Sequence, residues 1–435
     1  MNEASDLSWS NSAIALQGQR PGDIRRNNRA VALTLLRDQP RGRAELSREM
    51  NLSKAALGDL MAQLIGEHLV QENPPTPRSR GRHPAPLAIN RARFSVIGID
   101  LAVHGLEVGL YDALGQTLAV EEQASGVGTG AEAVYARVLS AAKTMIAKAA
   151  ALRAGAVLAV GIAAPGPVDL WHGLVLSPPN FADISGLALK NRLEADLNVT
   201  VLLERDATAA TLAHLRQTKA ENFVYLLLSA GIGAGVVISR RVFKGVHGFA
   251  GEFGHVSVHH DGTVCACGNR GCVENYAGSA MIEAAYARQP SSRTKAESTP
   301  SILEIAARAR AGEARAIEVF RVAGEALGLA CVTLVNLFDP KQIVLGGPGS
   351  AWADVLLPHM RAMLTERAYP FLSWGAQLPI EISALKRPIG TGAAERVLEA
   401  VFRGEIQIPA YVKPTPSQTV KPRAAAAKRE EPLMT

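Results

Sequence analysis

The chain has 435 residues, more than one hydrophobic core normally supports, and this length predicts two or three domains. Hydrophobic residues make up 48% and charged residues 20%, which is typical of a globular protein and excludes a disordered or fibrous chain. The net charge of +6 is unevenly placed, because residues 1–95 carry five more basic than acidic side chains and residues 411–435 carry three more.

No apolar run reaches the roughly 18 residues that a membrane-spanning helix needs. Residues 1–20 lack the charged and apolar regions of a secretory signal, and clustered cysteines suit a reducing compartment. We therefore expect a cytoplasmic protein with no membrane partner. The basic N-terminal region indicates a polyanion as partner, although a merely solvated surface would have the same charge.

The first part of the chain predicts a winged helix-turn-helix over residues 21–92, after a disordered start at 1–20. Helices are expected over 23–38 and 41–50, and a third begins after Ser53, a good N-cap. That third helix has an apolar stripe at Leu57, Leu60, Met61, Leu64 and Ile65. Strands at 68–72 and 86–89 would flank a basic loop at 77–84. A small interaction domain could also contain three such helices, but helix, turn and basic loop together favour DNA binding.

The residues predicted to contact DNA lie on the third helix, at the start of the second and in the basic loop. They are Arg43, Ser53, Lys54, Ala55, Gln63, Arg80, Gly81 and Arg82. Arg80 and Arg82 would enter a narrow, A·T-rich minor groove, whereas Arg43 is better placed for phosphate. Two neighbours oppose base readout, because Gly58 weakens the helix by about 1 kcal/mol and Asp59 repels phosphate.

The body, residues 93–408, alternates between strand and helix patterns. Strands are expected at 95–101, 106–111, 117–121 and 157–163, with a helix at 131–151, and a second round has strands at 223–228 and 342–345. Two such rounds predict two α/β lobes. Residues 409–435 are rich in Pro, Ala and Lys and are predicted to be a disordered basic tail, which either adds non-specific affinity for DNA or has no role.

Three of the four cysteines fall within eight positions in the second lobe. Cys265, Cys267 and Cys272 follow His255, and one histidine with three cysteines is a common ligand set for structural zinc. Glycines at 268 and 271 permit the tight turns that such a cluster needs. We therefore predict a structural zinc site, with buried free thiols as the alternative.

The segment Gly-Glu-Phe-Gly-His at 251–255, followed by Cys-x-Cys-Gly-x-x-Gly-Cys-x-Glu at 265–274, is similar to the signature of the ROK family of repressors, open reading frames and sugar kinases. Further similar segments are 160–169, 177–181, 204–209, 229–235 and 346–349. The resemblance covers about residues 25–402, including the Gly-Arg-x-Pro wing of ROK repressors at 81–84. It implies an α/β body with the two-lobed ribonuclease-H-like fold of the actin and hexokinase superfamily and a ligand in the interlobe cleft.

A sugar site needs carboxylate and amide groups that hydrogen-bond each hydroxyl. The predicted sugar-binding residues are Asn180, Asp206, Glu252, His255 and Glu274, although any one of them could instead be a surface or capping residue. The resemblance implies that Asp206 stands at the position of the kinases' general base and that His255 both ligates zinc and touches the sugar. Arg205 replaces the family's usual Asn, which favours an anionic group such as a phosphate.

The first body strand argues against ATP use. In the ROK kinases it ends in Asp-x-Gly-Gly-Thr, a phosphate loop, whereas here it reads Asp100, Leu101, Ala102, Val103, His104. No glycine in this stretch permits close approach of the backbone to phosphate, and no hydroxyl closes the loop. We therefore expect no enzymatic activity.

Together these features predict a sugar-responsive transcriptional regulator, a repressor of carbohydrate genes. Its partners would be a two-fold, A·T-rich operator DNA and a sugar or sugar phosphate, and it would act as a homodimer or homotetramer. Two alternatives stay open: an ATP-dependent sugar kinase with an N-terminal DNA-binding extension, and a zinc-stabilised scaffold without a ligand.

Overall fold

The computed structural model describes residues 20–73, 85–103, 105–288, 300–369 and 378–411. The predicted disordered start and most of the basic tail lie outside these ranges. So do Arg80, Gly81 and Arg82 of the predicted wing, and His104. No helix in the described part is long and apolar enough to cross a membrane.

The N-terminal head contains three helices and a pair of short strands. Their bounds are α1 Pro21–Asp38, α2 Arg43–Glu49, α3 Lys54–Gly66, β1 Val70–Glu72 and β2 Leu87–Ile89, and the strands pair antiparallel. Ser53 caps α3 as predicted, because its Oγ accepts a hydrogen bond from the amide of Ala56 at 3.2 Å. Helix α3 buries Leu57, Met61 and Leu64 and exposes its opposite face.

The first lobe has a five-stranded sheet in the order β5-β4-β3-β6-β9. Its elements are β3 Phe94–Ala102, β4 Gly105–Asp112, β5 Thr117–Gln123, α4 Ala131–Ala151, β6 Ala156–Ala164, β7 Val168–Asp169, β8 Leu174–Val175, α5 Leu189–Leu197 and β9 Thr200–Arg205. Strands β5, β4 and β3 run antiparallel to one another, whereas β3, β6 and β9 are parallel. The predicted strands and α4 are confirmed, with each strand extended by one or two residues.

The second lobe repeats this topology in the order β12-β11-β10-β13-β14. Its elements are α6 Asp206–Gln217, β10 Phe223–Leu228, β11 Ile232–Ile238, β12 Arg241–Phe243, α7 Glu274–Ala277, α8 Ser279–Arg288, α9 Ile302–Arg310, α10 Ala314–Phe338, β13 Ile343–Gly346, α11 Ala353–Arg367, β14 Ile380–Ile382 and α12 Pro388–Phe402. Its first three strands are antiparallel and its last three parallel, as in the first lobe. The two-lobed α/β body is thereby confirmed.

Helices α6 and α12 form a layer between the two sheets, with α12 on β3 and β6 and α6 on β10 and β11. Glycines bring the backbones into direct contact in this layer. A Cβ added at Gly392 would lie 1.6 Å from the carbonyl oxygen of Ala209, and one added at Gly235 would lie 1.9 Å from Oγ1 of Thr211. No side chain fits at these glycines, so the two helices hold the sheets at a fixed separation.

The head is joined to this interlobe layer through a shared hydrophobic cluster. Leu33 and Leu36 of α1 pack in one cluster with Phe94, Val397 and Phe402 of the body. An ion pair reinforces the joint. Arg37 Nη2 lies 2.7 and 2.6 Å from the two carboxylate oxygens of Glu395, and both side chains are only 9% exposed. The core therefore continues across the boundary predicted between residues 92 and 93.

Candidate functional site

The structure brings together the four residues predicted to ligate a metal, His255, Cys265, Cys267 and Cys272. Their ligand atoms all lie within 4.8 Å of one another. Nδ1 of His255 is 3.8 Å from the sulfur of Cys265, and the sulfurs of Cys267 and Cys272 are 3.8 Å apart. Ligands that surround one tetrahedral ion with metal–sulfur bonds of about 2.3 Å have sulfurs roughly 3.8 Å apart. The cluster can therefore hold a metal ion.

The backbone around the cluster is shaped by tight turns. Gly271 has φ of +65°, and a Cβ there would lie 1.7 Å from the carbonyl oxygen of His259, so only glycine fits. The side-chain Nδ2 of Asn269 donates to the carbonyl of His255 at 3.2 Å and to the sulfur of Cys272 at 3.4 Å. Burial and the two neighbouring thiols together raise the pKa of the Cys272 thiol to about 12. A bound cation is what would let three sulfurs ionise at such short separations.

Two carboxylates flank the metal cluster on the side of the interlobe cleft. Nε2 of His255 lies 4.0 Å from Oε2 of Glu252 while Nδ1 faces the sulfurs. Glu274 follows Cys272 by two residues, and its Oε2 accepts a hydrogen bond from the amide of Ile232 at 2.9 Å. Glu252 thus lies beside the His/Cys cluster, and the backbone of β11 holds Glu274.

Asp206 lies near Glu252 and Glu274 but on the side of the first lobe, where β9 ends and α6 begins. Its Oδ1 accepts a hydrogen bond from the amide of Ala207 at 2.6 Å. Burial, with smaller contributions from Glu252 and Glu274, raises the pKa of Asp206 from 3.8 to about 6 against the lowering effects of Arg205 and that amide. Glu252 and Glu274 are therefore close enough to Asp206 for their charges to affect its ionisation.

Asn180 completes the set beside Gly231. A Cβ at that glycine would lie 2.4 Å from Oε2 of Glu274 and 3.7 Å from Nδ2 of Asn180. The five residues predicted for sugar binding are thus brought together where the two lobes meet, with carboxylate oxygens, an amide and an imidazole nitrogen in one neighbourhood. Such a group of polar atoms can hydrogen-bond several hydroxyls at once.

Two ion pairs cross between the lobes beside this group. Arg205 in the first lobe places Nη2 2.9 Å from Oε1 of Glu252 and donates from Nη1 to the carbonyl of Ala250 at 2.6 Å. Lys244 in the second lobe pairs with Glu204, whose side chain is only 2% exposed. Sequence reasoning singled out Arg205 but missed Glu204 and Lys244, because partners 40 residues apart give no local signal.

A second group of acids lies in the first lobe, and sequence reasoning considered its Asp100 but missed Glu107. Asp100 on β3 stands opposite Glu107 on β4. Its buried Oδ1 has no hydrogen-bond partner among the described residues. Burial holds the pKa of Asp100 well above its ordinary value, with further increases from Glu107 and Asp206. Burial also raises the pKa of Glu107 to about 7, against the effect of Arg387, whose Nε lies 3.0 Å from Oε2 of Glu107.

The end of β3 and the glycine segment at 346–349 have distinct local structures. Strand β3 continues to Ala102, which pairs with Gly105 at the start of β4. At the other segment, Gly347 opens a short 3₁₀ helix, and its amide donates to the hydroxyl of the buried Tyr225 at 3.2 Å. One backbone donor of this glycine segment therefore already has a partner.

The exposed face of α3 carries Lys54, Ala55 and Gln63, three of the residues predicted to contact DNA. Nε2 of Gln63 donates to Oε1 of Glu67 at 2.8 Å, while Arg43 pairs with Glu72 at 2.5 Å. Arg43 and Gln63, both described members of the predicted DNA set, thus already have carboxylate partners.

Sequence comparisons agree with this architecture. Residues 96–385 match the ROK family. The xylose repressor of Caldicellulosiruptor bescii is 29% identical over 372 residues, which cover 83% of this chain and 92% of that protein. The DNA-binding transcriptional dual regulator NagC of Escherichia coli is 27% identical over 391 residues, covering 88% and 95%.

Structural comparisons separate regulators from kinases. A crystal structure of a ROK family transcriptional regulator, a homologue of the E. coli MLC protein, superposes with a TM-score of 0.74 at 28% identity and covers 88% of this chain and 97% of that one. The ROK hexokinase of Thermus thermophilus gives a TM-score of 0.56 at 28% identity and covers 72% of this chain and 99% of its own. From its matched sequence, its two-lobed fold and its His/Cys cluster, this chain belongs to the ROK family.

Proposed function

We propose that this ROK protein is a sugar-responsive DNA-binding repressor whose cleft no longer performs phosphoryl transfer. The observation that carries the proposal is the connection of the three-helix head to the helix that begins at Asp206. The repressor names of the xylose and NagC-type relatives support it, as does their alignment over more than four fifths of this chain. The hexokinase, in contrast, matches only 72% of the chain.

Helix α6 provides a route from the cleft to the head. Asp206 is its first residue, and Arg216 near its end donates from Nη2 to the carbonyl of Arg37 at 2.7 Å and pairs with Asp38 at the end of α1. At about 1.5 Å per residue, the two ends lie roughly 15 Å apart. A sugar that moves Asp206 would therefore act on α1 through one rigid helix. Its affinity has to differ between the two positions of the head for this to regulate DNA binding.

The chemistry of the cluster favours zinc as the metal held by His255 and the three cysteines. Three thiolates and one imidazole fill a tetrahedron and leave no open position, which suits a structural ion rather than a catalytic one. In that role the zinc would fix the orientation of His255, whose other ring nitrogen faces Glu252.

Two features of the chain support a non-catalytic cleft. The stretch from Asp100 to Val103 contains no glycine where a phosphate loop needs close backbone approach. The amide of Gly347 already donates to Tyr225. The family's general-base position at Asp206 is retained, and in a sensor that carboxylate would accept a sugar hydroxyl.

The partner of the head would be operator DNA, read by the exposed face of α3 with Arg80 and Arg82 in an adjacent A·T-rich minor groove. A two-fold operator requires two heads, so we propose a homodimer or homotetramer in the cytoplasm. The basic tail would add non-specific affinity.

Fluorescence anisotropy with DNA from upstream of the gene tests this function. Lys54→Ala should weaken DNA binding several-fold, because one phosphate contact is lost. For the same reason, the slope of log affinity against log salt concentration should fall in magnitude by about one. Lys219→Ala, an exposed lysine on the body, is the matched control and should leave the affinity unchanged. Failure to bind any upstream fragment, or rapid ADP formation with ATP and a sugar, would overturn the proposal in favour of a scaffold or a kinase.

A further inference from the structure

We infer that the interlobe cleft takes an uncharged sugar and excludes its phosphate ester, and that Arg205 is a positioning residue that orients Glu252. The inference rests on the proposed sugar-sensing function and narrows its ligand class. It reverses the expectation from sequence that an arginine at this position serves an anion.

The bonds of Arg205 leave little for a ligand. Its side chain is 3% exposed, with one terminal nitrogen beside Oε1 of Glu252 and the other bonded to the carbonyl of Ala250. A guanidinium that is paired with a carboxylate and bonded to a carbonyl already has its charge balanced. An incoming phosphate could reach it only by displacing Glu252, which would leave that carboxylate unpaired beside the phosphate.

The other charges around the cleft also oppose an anion. Lys244 pairs with Glu204, and Arg387 pairs with Glu107 and Glu122. Asp206 and Glu274, in contrast, accept hydrogen bonds from the backbone amides of Ala207 and Ile232. Within the described ranges, Lys244 and Arg387 are therefore each paired with an acid. Asp206 and Glu274 have no paired cation there, and Arg205 is the nearby cation that acts on Asp206.

The size of the resulting repulsion decides the ligand class. At an effective dielectric constant near 20, two like unit charges about 6 Å apart repel enough to lower an affinity roughly a hundredfold. A phosphate dianion would meet more than one such carboxylate. Sugar hydroxyls, in contrast, donate to carboxylates in short charge-assisted hydrogen bonds. The same acids that exclude a phosphate ester thus bind an uncharged sugar.

Arg205 contributes by fixing which oxygen of Glu252 faces the ligand. With Oε1 beside the guanidinium, Oε2 is the oxygen that points toward Nε2 of His255, at 4.0 Å. One hydroxyl seated between these two atoms can donate to the carboxylate and accept from the imidazole. Without Arg205 the carboxylate can rotate, and this paired arrangement is lost.

Isothermal titration calorimetry on the full chain tests the ligand class. The probes are D-xylose, N-acetylglucosamine and D-glucose, the 6-phosphates of the two hexoses, D-glucuronate and inorganic phosphate. We expect at least one uncharged sugar to bind and the charged compounds to bind at least a hundredfold more weakly. A phosphate ester that binds as tightly as its parent sugar overturns the inference but leaves sugar sensing intact. If no sugar or sugar ester binds and none alters DNA affinity, the proposed function fails instead.

Arg205→Gln then distinguishes a positioning residue from an anion clamp. We expect its affinity for the uncharged sugar to fall about tenfold, with partial rescue in Arg205→Lys. Selective loss of phosphate-ester binding would contradict the inference. Arg192→Gln, which removes an exposed arginine paired with Glu132, is the matched control and should bind sugar normally. Metal content at the wild-type level in each variant shows that the second lobe is folded.

Discussion

The two lobes share one sheet topology but hold their acidic side chains in different ways. In the second lobe, Glu252 and Glu274 bracket a His/Cys cluster, so that all the parts lie within 23 consecutive residues. In the first lobe, Asp100 and Glu107 are held by burial and by Arg387, which is 280 positions away from Glu107 in the chain. Helix α12 of the interlobe layer packs on β3 and β6 and so joins the head to the first lobe. A local cluster that can hold a metal ion thus replaces in one lobe what long-range packing does in the other. Breaking the cluster should therefore affect metal content and stability, whereas breaking the long-range pairs should affect stability alone.

The largest effect is expected at the metal cluster. Cys272→Ser removes a buried ligand, so we expect loss of the metal and destabilisation of the second lobe by several kcal/mol, since metal affinity contributes directly to folding. Metal content and thermal unfolding measure both effects. Cys331→Ala, at a buried cysteine of α10 outside the cluster, should keep the metal and cost only about 1–2 kcal/mol. Full metal content in Cys272→Ser would show that the ligand set is wrong.

The next effect concerns the joint between the head and the first lobe. Glu395→Gln leaves Arg37 without its carboxylate in a largely buried position, which typically costs about 3 kcal/mol. Urea unfolding measures the loss, and DNA binding with and without sugar shows whether the joint transmits the response. Glu399→Gln, one turn along the same helix, breaks an exposed pair with Arg403 and should cost about 0.5 kcal/mol or less. Equal costs at both positions would contradict a buried joint.

A smaller and pH-dependent effect is expected at Glu107. Its folded-state pKa of about 7 lies above its ordinary 4.5, so its contribution to stability is fully present below pH 4.5 and is lost as the pH rises toward 7. Glu107→Gln should therefore gain stability relative to the wild type between pH 5 and pH 8, by roughly 3 kcal/mol at most. Thermal unfolding at the two pH values measures this gain. Glu121→Gln, on β5, serves as the control, and a pH-independent difference for Glu107→Gln would refute the assignment.

The smallest expected change in stability concerns a glycine of the head, which is not closely packed as the glycines of the interlobe layer are. Gly58 lies inside α3 with no atom within 4 Å of the position of an added Cβ, unlike Gly392. Gly58→Ala should thus stabilise the protein by about 1 kcal/mol through helix propensity alone. Gly66→Ala, at the last residue of the same helix, should gain less. Destabilisation by Gly58→Ala in thermal unfolding would mean that this face of α3 is packed against another surface.

Much of the fold could be predicted from the sequence, because its signals are local. The apolar stripe of α3, the strands of the first lobe and the cysteine cluster each lie within a short window. The structure confirms the helix and the strands, and it brings the four predicted ligands together. Lys244, Arg387 and Glu395 gave no such signal, since their partners lie 40 to 358 positions away. The pairing of these charges depends on how the lobes and the head pack together, which a single sequence does not encode in any window.

The role of Arg205 shows the same limit at the scale of one side chain. Residue type alone indicated an anion ligand, whereas the structure pairs the guanidinium with Glu252 in the opposite lobe. The residues of the predicted wing lie outside the described ranges, so DNA contact by Arg80 and Arg82 stays a prediction.

The single helix between Asp206 and Arg216 has an evolutionary consequence. Because its backbone hydrogen bonds make it rigid, a movement at one end reaches the other without specific contacts by the intervening side chains. Those side chains are therefore constrained only by packing. Ligand preference can therefore diversify at the first turn, and operator preference on α3, without either change requiring a compensating change in the other. Because the two preferences can change independently, the same connecting helix could serve regulators that respond to many different sugars.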